Sequence, residues 1–484
     1  MWYTQTMRDA RQWWLGIVAI AFACGGDGSS DSARPNFLIL IADDQTAATF
    51  GAAGDPVAQT PRLDSLATEG VRFSNAFVTT SICSPARASY LTGQYVRRHG
   101  VSGNPNPLPR DAVSFASKLR AAGYDTAYVG KWHMGDVAEP RPGFAWTASF
   151  AGQGRYEDCE FWVGDRLRET RGNVDEVSTG FAIEFLRRPR HAPFLMVVGY
   201  KGLHVPRSVP ERFEPLYQDA SIAMPVNSRA LAPYPRRTEH AALRENGAPP
   251  LGKAGFAIAE DWAARFDRGA YDVPRARQLE TARKYYRSLT ALDDAVGRLL
   301  DELDHRDLAD NTVVVYVGDN GTHLFAHGMV GKRSAYEESM RVEMLVRDPG
   351  VPSARGARTL DELILNIDLA PTLLDRAGVP IPATMQGRSW LPLLEGAVSD
   401  WRDAFVYEYY SGRFPFLPTM LAVRTRDAKL VTYPGYPSWT QLFDLARDPA
   451  ERTDLASEPE RAAQRRALHE RLAALEAEIG PRLE

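Results

Sequence analysis

Cysteine is scarce in this sequence: 484 residues hold three, Cys24, Cys83 and Cys159. So few thiols in so long a chain exclude a disulfide scaffold and a cysteine-ligated zinc module. An excess of either charge is lacking too, with 57 Lys and Arg against 61 Asp and Glu and a formal net charge of −4. No basic block or aromatic–basic stripe breaks that balance, which argues against nucleic acid as a partner. No apolar run approaches the ~18 residues that a membrane-spanning helix needs, and no internal repeat marks a solenoid. The length itself favours one large domain with a smaller one attached.

The N-terminus carries a signal of another kind. Arg8 and Arg11 precede an apolar run at 13–23 that stops at Cys24. Too short to cross a bilayer, the run suits the apolar region of a signal peptide. Small residues lead into Cys24, and the Gly- and Ser-rich stretch 25–34 follows as a polar tether. The pattern resembles a bacterial lipoprotein signal, with Cys24 lipidated after cleavage; the alternative is an ordinary cleaved signal with an incidental cysteine. Either reading predicts export, to the periplasm or the cell surface, with membrane attachment only through a lipid on Cys24. Residues 1–24 are therefore set aside as signal and 25–34 as tether.

An unbroken apolar run at 37–42 reads as a strand buried on both faces. Strand-like runs recur at 126–129, 194–199, 312–317 and 343–346, with helix-patterned stretches between them at 112–122, 177–187 and 281–303. That alternation predicts an α/β domain over 35–395, a large and mostly parallel sheet flanked by helices. Residues 205–275, rich in proline and arginine, read as an insertion near the mouth of the site. Over 396–484 the character changes. Short strands at 405–410, 420–424, 429–432 and 441–444 and a helix at 458–478 predict a smaller C-terminal subdomain with an antiparallel sheet.

Several strands run directly into chemically able residues: Asp43 and Asp44, Lys131, His204, and Asp319 with Asn320. Ligands of open α/β sheets bind at the carboxyl ends of the strands, so these groups are expected to converge. Asp43, Asp44, Asp319 and Asn320 are hard oxygen donors without clustered histidine or cysteine, a set suited to Ca²⁺ or Mg²⁺ rather than zinc. Taken singly, Asp-Asp and Asp-Asn-Gly are also ordinary turn residues.

Four segments carry the remaining chemistry. Residues 81–93 read SICSPARASYLTG, 123–135 GYDTAYVGKWHMG, 199–206 GYKGLHVP and 328–339 GMVGKRSAYEES. Cys83 with Pro85 and Arg87 resembles the signature at which type I sulfatases convert cysteine to Cα-formylglycine. The second segment is similar to the family's other signature, and the resemblance covers nearly all of 35–455. It implies an alkaline phosphatase-like fold and a divalent cation, Ca²⁺ before Mg²⁺. The ion's ligands would be Asp43, Asp44, Asp319, Asn320 and an oxygen of the modified Cys83. It further implies that Lys131 and Lys332 bind sulfate, that His133 touches the formylglycine and that His204 protonates the leaving oxygen. Arg87, one helical turn after Cys83, would hold the hydrated aldehyde. Such a diol attacks sulfur with one hydroxyl and expels sulfate through the other, an exit that a serine ester lacks.

Within the family, GKWHMG, PRPGF, SFAGQGRY and GKRSAYEESMRV look most like bacterial carbohydrate sulfatases acting on glycosaminoglycan or related amino-sugar glycans. A sulfated carbohydrate is the expected substrate, and a formylglycine-generating enzyme the expected partner in maturation. Ala86, where serine is commonest, and Glu343, where proline is frequent, are mild departures. Arg155, Tyr156, Trp262, Thr419 and Arg424 are candidate sugar contacts. His323 and His327 are read as supporting or structural, and Cys159 as an ordinary, partly buried thiol. Two alternatives stay open: a formylglycine-dependent phosphonate monoesterase or phosphodiesterase, and a non-catalytic lipoprotein that binds sulfated glycans.

Overall fold

A computed structural model describes residues 34–47, 49–135, 141–233, 273–398, 400–411 and 417–483. Cys24, Trp262 and much of the expected insertion lie outside the described residues. From Arg34 onward the chain forms one compact unit.

Strands follow in chain order as β1 (Asn36–Ala42), β2 (Val71–Phe73), β3 (Ala76–Phe77), β4 (Asp125–Lys131), β5 (Trp146–Phe150) and β6 (Phe161–Val163). Next come β7 (Arg166–Arg168), β8 (Phe194–Gly199), β9 (Thr312–Gly318), β10 (Arg341–Val342), β11 (Met344–Arg347), β12 (Arg358–Leu360) and β13 (Ile364–Leu365). The ten-stranded sheet has the order β12-β2-β11-β9-β1-β8-β4-β5-β6-β7. Its middle, β9-β1-β8-β4-β5, is parallel throughout. The expected strand at 343–346 is present but runs antiparallel to β9.

The unbroken apolar runs are explained by what covers each face. Phe37, Ile39 and Ile41 of β1 enter one core, while Leu38, Leu40 and Ala42 enter the other. The neighbouring β9 divides in the same way, with Val313, Val315 and Val317 against Val314 and Tyr316. A strand buried on both faces can afford no polar alternation. The long helix Arg275–His305 covers the second face, with Tyr285, Leu289, Leu292, Val296, Leu299 and Leu303 at helical spacing. It begins directly after Pro274, which cannot donate to a preceding turn. The helix expected at 112–122 is shorter, Phe115–Ala121, because Ser114 and Ser117 close a reciprocal cap at its start.

The C-terminal strands β14 (Ala404–Tyr409), β15 (Met420–Thr425), β16 (Ala428–Thr432) and β17 (Gln441–Asp444) form an antiparallel sheet in sequence order. The helix Ala462–Ile479 contributes Leu468, Leu472 and Ile479 to the same core. Phe405, Tyr407, Val423 and Leu430 share one apolar cluster with Phe77, Ile364 and Leu374, so the small sheet has no separate core.

One buried ion pair also ties the two parts. Arg97 donates from Nε to Glu408 Oε2 at 2.7 Å and from its backbone to Oε1 at 3.1 Å. Both side chains are sealed, at 1% and 0% exposure. Arg97→Leu would leave the Glu408 carboxylate buried without its charge partner. We expect a loss of about 3–5 kcal/mol in denaturant unfolding. Replacing both residues by leucine should recover most of it, and equal losses in the single and double variants would contradict this assignment.

Candidate active site

Strand register brings the acids together. Ala42 pairs with Gly318 across β1 and β9, so Asp43 and Asp319 emerge side by side at the carboxyl edge. The Asp319 backbone N–H donates to Ala42 O at 2.8 Å. Asp44 adopts a left-handed backbone (φ 62°) and donates its N–H to Asp319 Oδ1 at 3.2 Å. Asn320 Nδ2 donates to Asp44 Oδ1 at 2.7 Å. All four residues are buried.

Cys83 opens the helix Cys83–Thr92 after an extended Ile82. The pentad is explained by this position. Pro85 falls in the first helical turn, where its missing N–H breaks no bond. Arg87 lies four residues on, hence on the same face as Cys83. Buried to 1% exposure, Arg87 donates from Nε to Asp319 Oδ2 at 2.9 Å and from Nη1 to Lys131 O at 2.7 Å. Gly199 at the end of β8 makes room for it. A Cβ there would stand 2.4 Å from Lys131 O and 2.7 Å from Arg87 Nη1.

Lys131, the last residue of β4, bonds Asp43 and lies 3.9 Å from Cys83 Sγ. Lys332 approaches from the loop after β9, bonds Asp44 and donates to Cys83 Sγ at 2.8 Å. Three carboxylates thus face three cations: Asp43, Asp44 and Asp319 against Arg87, Lys131 and Lys332.

The electrostatics follow from burial. Desolvation alone would raise the Asp43 pKa, but the charges of Lys131, Lys332 and Arg87 outweigh it and hold the carboxyl well below its usual value. Asp319 goes the other way, raised by burial and by the charge on Asp43. The Cys83 thiol is pushed up to about 12, chiefly by burial and then by Asp43, against the pull of both lysines. Burial also drives His133 and His204 well below the ordinary histidine value, so both are neutral in the free protein.

His204 sits in the turn after β8. Its Nδ1 lies 2.7 Å from Val205 O. A carbonyl only accepts, so Nδ1 carries the hydrogen and Nε2 is left to face the site. The turn is clamped from three sides. Asp175 accepts from Lys201 N at 2.8 Å, Ser288 Oγ accepts from Leu203 N at 2.9 Å, and the Tyr156 hydroxyl donates to the carbonyls of Lys201 and His204. His133 is left-handed (φ 63°), and its Nδ1 is buried without a hydrogen-bond partner.

Beside these groups lies a cleft whose lining includes Asp44, Asn104, Gln153, His204, Arg207, Lys332 and Arg333. Of the residues expected to carry chemistry or hold metal, Asp44, His204 and Lys332 line the cleft, and Asp43, Cys83, Arg87, Lys131, Asp319 and Asn320 join them through the contacts above. The expected sugar contacts fare differently. Tyr156 is buried under the His204 turn, and Arg155 is exposed and donates to Asp158 O. Arg424 is buried against Glu337, and Thr419 bonds Ser411. None of these four lines the cleft. His323 bonds Ser334 and His327 stacks on Tyr336 at 3.7 Å, both behind the Lys332 loop. Cys159 is a free, buried thiol.

Known proteins resemble this chain over most of its length. The sulfatase family matches residues 35–379, and the C-terminal region of N-sulphoglucosamine sulphohydrolase matches 326–478. The chain is 28% identical to an N-acetylglucosamine-6-O-sulfatase of Bacteroides thetaiotaomicron, over 94% of this chain and 88% of that protein. Its fold superposes with a TM-score of 0.79 on a protein solved with its substrate D-glucosamine-2-N,6-O-disulfate, 27% identical, covering 92% of this chain and 98% of that one. A phosphonate monoester hydrolase of Agrobacterium radiobacter gives a TM-score of 0.73 at 25% identity, covering 92% and 96%.

The large sheet, with these paired charges at its carboxyl edge, is that of an alkaline phosphatase-like hydrolase. Within that class the chain belongs to the sulfatase family, and it is a sulfuric ester hydrolase.

A thiol so buried and so weakly acidic is a poor nucleophile, because only the thiolate attacks. In its thiol form the native protein is therefore expected to resist iodoacetamide at about pH 7 to 9 and to react only once unfolded. Rapid alkylation of Cys83 in the native state, read from the peptide mass, would contradict its burial and protonation.

Proposed function

We propose that the protein removes sulfate from a sulfated carbohydrate, a glycosaminoglycan or amino-sugar glycan, using Cys83 converted to Cα-formylglycine beside a bound Ca²⁺ ion. The observation that carries this reading is the position of Cys83. Its sulfur is unionised, yet it stands at the focus of two lysines and three carboxylates. The Sγ atom there stands in for the oxygens of the hydrated aldehyde. The sugar assignment is supported by the relatives: one is an N-acetylglucosamine-6-O-sulfatase, another holds a glucosamine disulfate, and 326–478 match an N-sulphoglucosamine sulphohydrolase region.

The donor set fits the ion. Ligand atoms of Asp43, Asp44, Cys83 and Asp319 lie within 4.8 Å of one another. Asn320 Oδ1 is buried in the same place without a hydrogen-bond partner. Hard oxygens of this kind favour Ca²⁺, with Mg²⁺ second. When present, the hydrated aldehyde supplies one hydroxyl to attack sulfur and another through which sulfate leaves, while the cation withdraws charge from the sulfate oxygens.

The chain's own residues do the rest. Arg87, fixed by Asp319 and Lys131 O, would hold the diol with its planar fork. Lys131 and Lys332 would neutralise the sulfate oxygens as they now neutralise Asp43 and Asp44. His204, neutral with its Nδ1–H committed to a carbonyl, would take up a proton at Nε2 when the anionic ester binds and pass that proton to the leaving alcohol. His133, whose Nδ1 has no partner, would take the proton that the second hydroxyl gives up.

Export rests on the signal-like residues before Arg34. Arg8, Arg11, the apolar run and Cys24 support a lipid-anchored protein of the periplasm or cell surface, matured by a formylglycine-generating enzyme. One specific observation favours a second reading, hydrolysis of phosphonate monoesters, since a phosphonate monoester hydrolase shares the fold at 25% identity. Relative turnover of sulfate and phosphonate esters separates the two.

The direct test is the mass of the tryptic peptide bearing Cys83 after expression with a formylglycine-generating system. A loss of about 18 Da from the thiol form is expected, and an unmodified cysteine under conditions that convert a control sulfatase would overturn the proposal. The role of His204 has its own measurement. His204→Ala should slow sugar sulfates by roughly 10²–10⁴-fold and nitrophenyl sulfate far less, since an activated phenol needs no proton to leave. Equal losses on both substrates would remove His204 from that role.

A further inference from the structure

The segment 149–156, read as SFAGQGRY, is not used by the chemistry above except through Tyr156. Its backbone is held with unusual care. Gly152 and Gly154 are both left-handed (φ 53° and 61°), a conformation that strains other residues. A Cβ on Gly154 would also stand 2.5 Å from the Phe150 ring. Between them the carbonyl of Gln153 accepts from Lys201 Nζ at 2.8 Å. Lys201 is itself buried, over the ring of Tyr156, and burial followed by the charge of Lys131 brings its pKa down to about 8.

The side chain of Gln153 is treated in the opposite way. Its Oε1 is buried without a hydrogen-bond partner, and its Nε2 donates to no atom among the described residues. Nothing fixes the turn of the amide about its last torsion, which is broad and two-fold. It can present either a carbonyl or an NH₂ group to a ligand. Gln153 lines the cleft together with His204, the residue at the leaving-alcohol side of the site. A buried, unpaired amide oxygen is costly to keep in a folded protein, and a pinned backbone beneath it makes sense when the partner arrives from outside.

We propose that Gln153 is a specificity-determining residue that hydrogen-bonds a hydroxyl or N–H group of the departing alcohol, so that the enzyme distinguishes a polyhydroxylated sugar from a plain alcohol or phenol. This rests on the carbohydrate reading above and names the group that enforces it. A site with a polar group placed for a substrate hydroxyl discriminates against analogues that lack it, because the protein group is then left unpaired.

The test compares wild type with Gln153→Met, which keeps the length of the side chain and removes its donor and acceptor. Both are assayed, in formylglycine-converted form, on N-acetylglucosamine 6-sulfate, the substrate class implied by a relative's name, and on nitrophenyl sulfate. The ratio of kcat/KM for the sugar over the aryl ester should fall about tenfold, as the loss of one hydrogen bond implies. An unchanged ratio would overturn the role of Gln153. A wild type that hydrolyses neither probe would overturn the proposed function and this inference with it. If Gln153→Met fails to fold, the wild type alone decides. Monodeoxy analogues of the sugar sulfate should include one that loses about tenfold in kcat/KM, and a uniform response across them would refute the contact.

Discussion

Three carboxylates sealed from water at one sheet edge set the terms for everything around them. Asp43, Asp44 and Asp319 are each at 5% exposure or less. Left together they would repel one another and take up protons. Arg87, Lys131 and Lys332 oppose them one for one, and each of those cations is buried as deeply. Removing any one member leaves a charge stranded in low dielectric, which is far costlier than the pair is stabilising. The balance is also what makes the floor useful. Neutral as it stands, it would gain two positive charges from the divalent ion proposed for it, and those charges would form an electrostatic well for an anionic ester.

Holding that arrangement strains the backbone around it. Asp44, His133, Leu203 and Arg333 are left-handed without being glycine, and each is a site residue or the direct neighbour of one. Aspartate tolerates the conformation; leucine and arginine do so at roughly 1–3 kcal/mol each. The strain at Leu203 is met by bonds to both its backbone groups, with its N–H on Ser288 Oγ and its carbonyl accepting from Arg207 Nε at 2.9 Å. The two cores on either face of the sheet give these bonds a rigid base. Precision at the site therefore depends on apolar runs such as β1 and β9, which themselves carry no chemistry.

Those runs explain why the central fold was legible. A strand buried on both faces must be apolar throughout, so 37–42 and 312–317 stand out in any reading of the chain. Strands of two or three residues, such as β3, β10 and β13, carry too little pattern to be seen and exist only because longer elements bring them together. The floor of the site was legible for a different reason. Its residues sit in dense local motifs, and strand register alone places Asp43 beside Asp319. The cleft wall was not. Tyr156 looked like a sugar contact because aromatic residues often are, but its hydroxyl is spent on two backbone carbonyls. Asn104, Arg207 and Arg333 reach the cleft from loops whose course depends on distant packing. The glycines around Gln153 were the one local sign, since a Gly-Gln-Gly triplet announces a backbone held in a turn.

This division between floor and wall separates recognition of the ester's charge from recognition of its alcohol. A floor with a surplus of about two positive charges, after a divalent ion is bound, suits any singly charged tetrahedral ester. Sulfate monoesters and phosphonate monoesters both meet that description, and the shared fold with a phosphonate monoester hydrolase follows naturally. Charge and size at the central atom thus select poorly between them. The alcohol must then be read by groups above the floor, where the cleft offers neutral amides and guanidinium groups in place of further carboxylates. A neutral, unpaired amide adds little to the binding of the anion itself, but it loses a hydrogen bond whenever the wrong alcohol enters. Selectivity built in this way leaves the buried charge balance untouched.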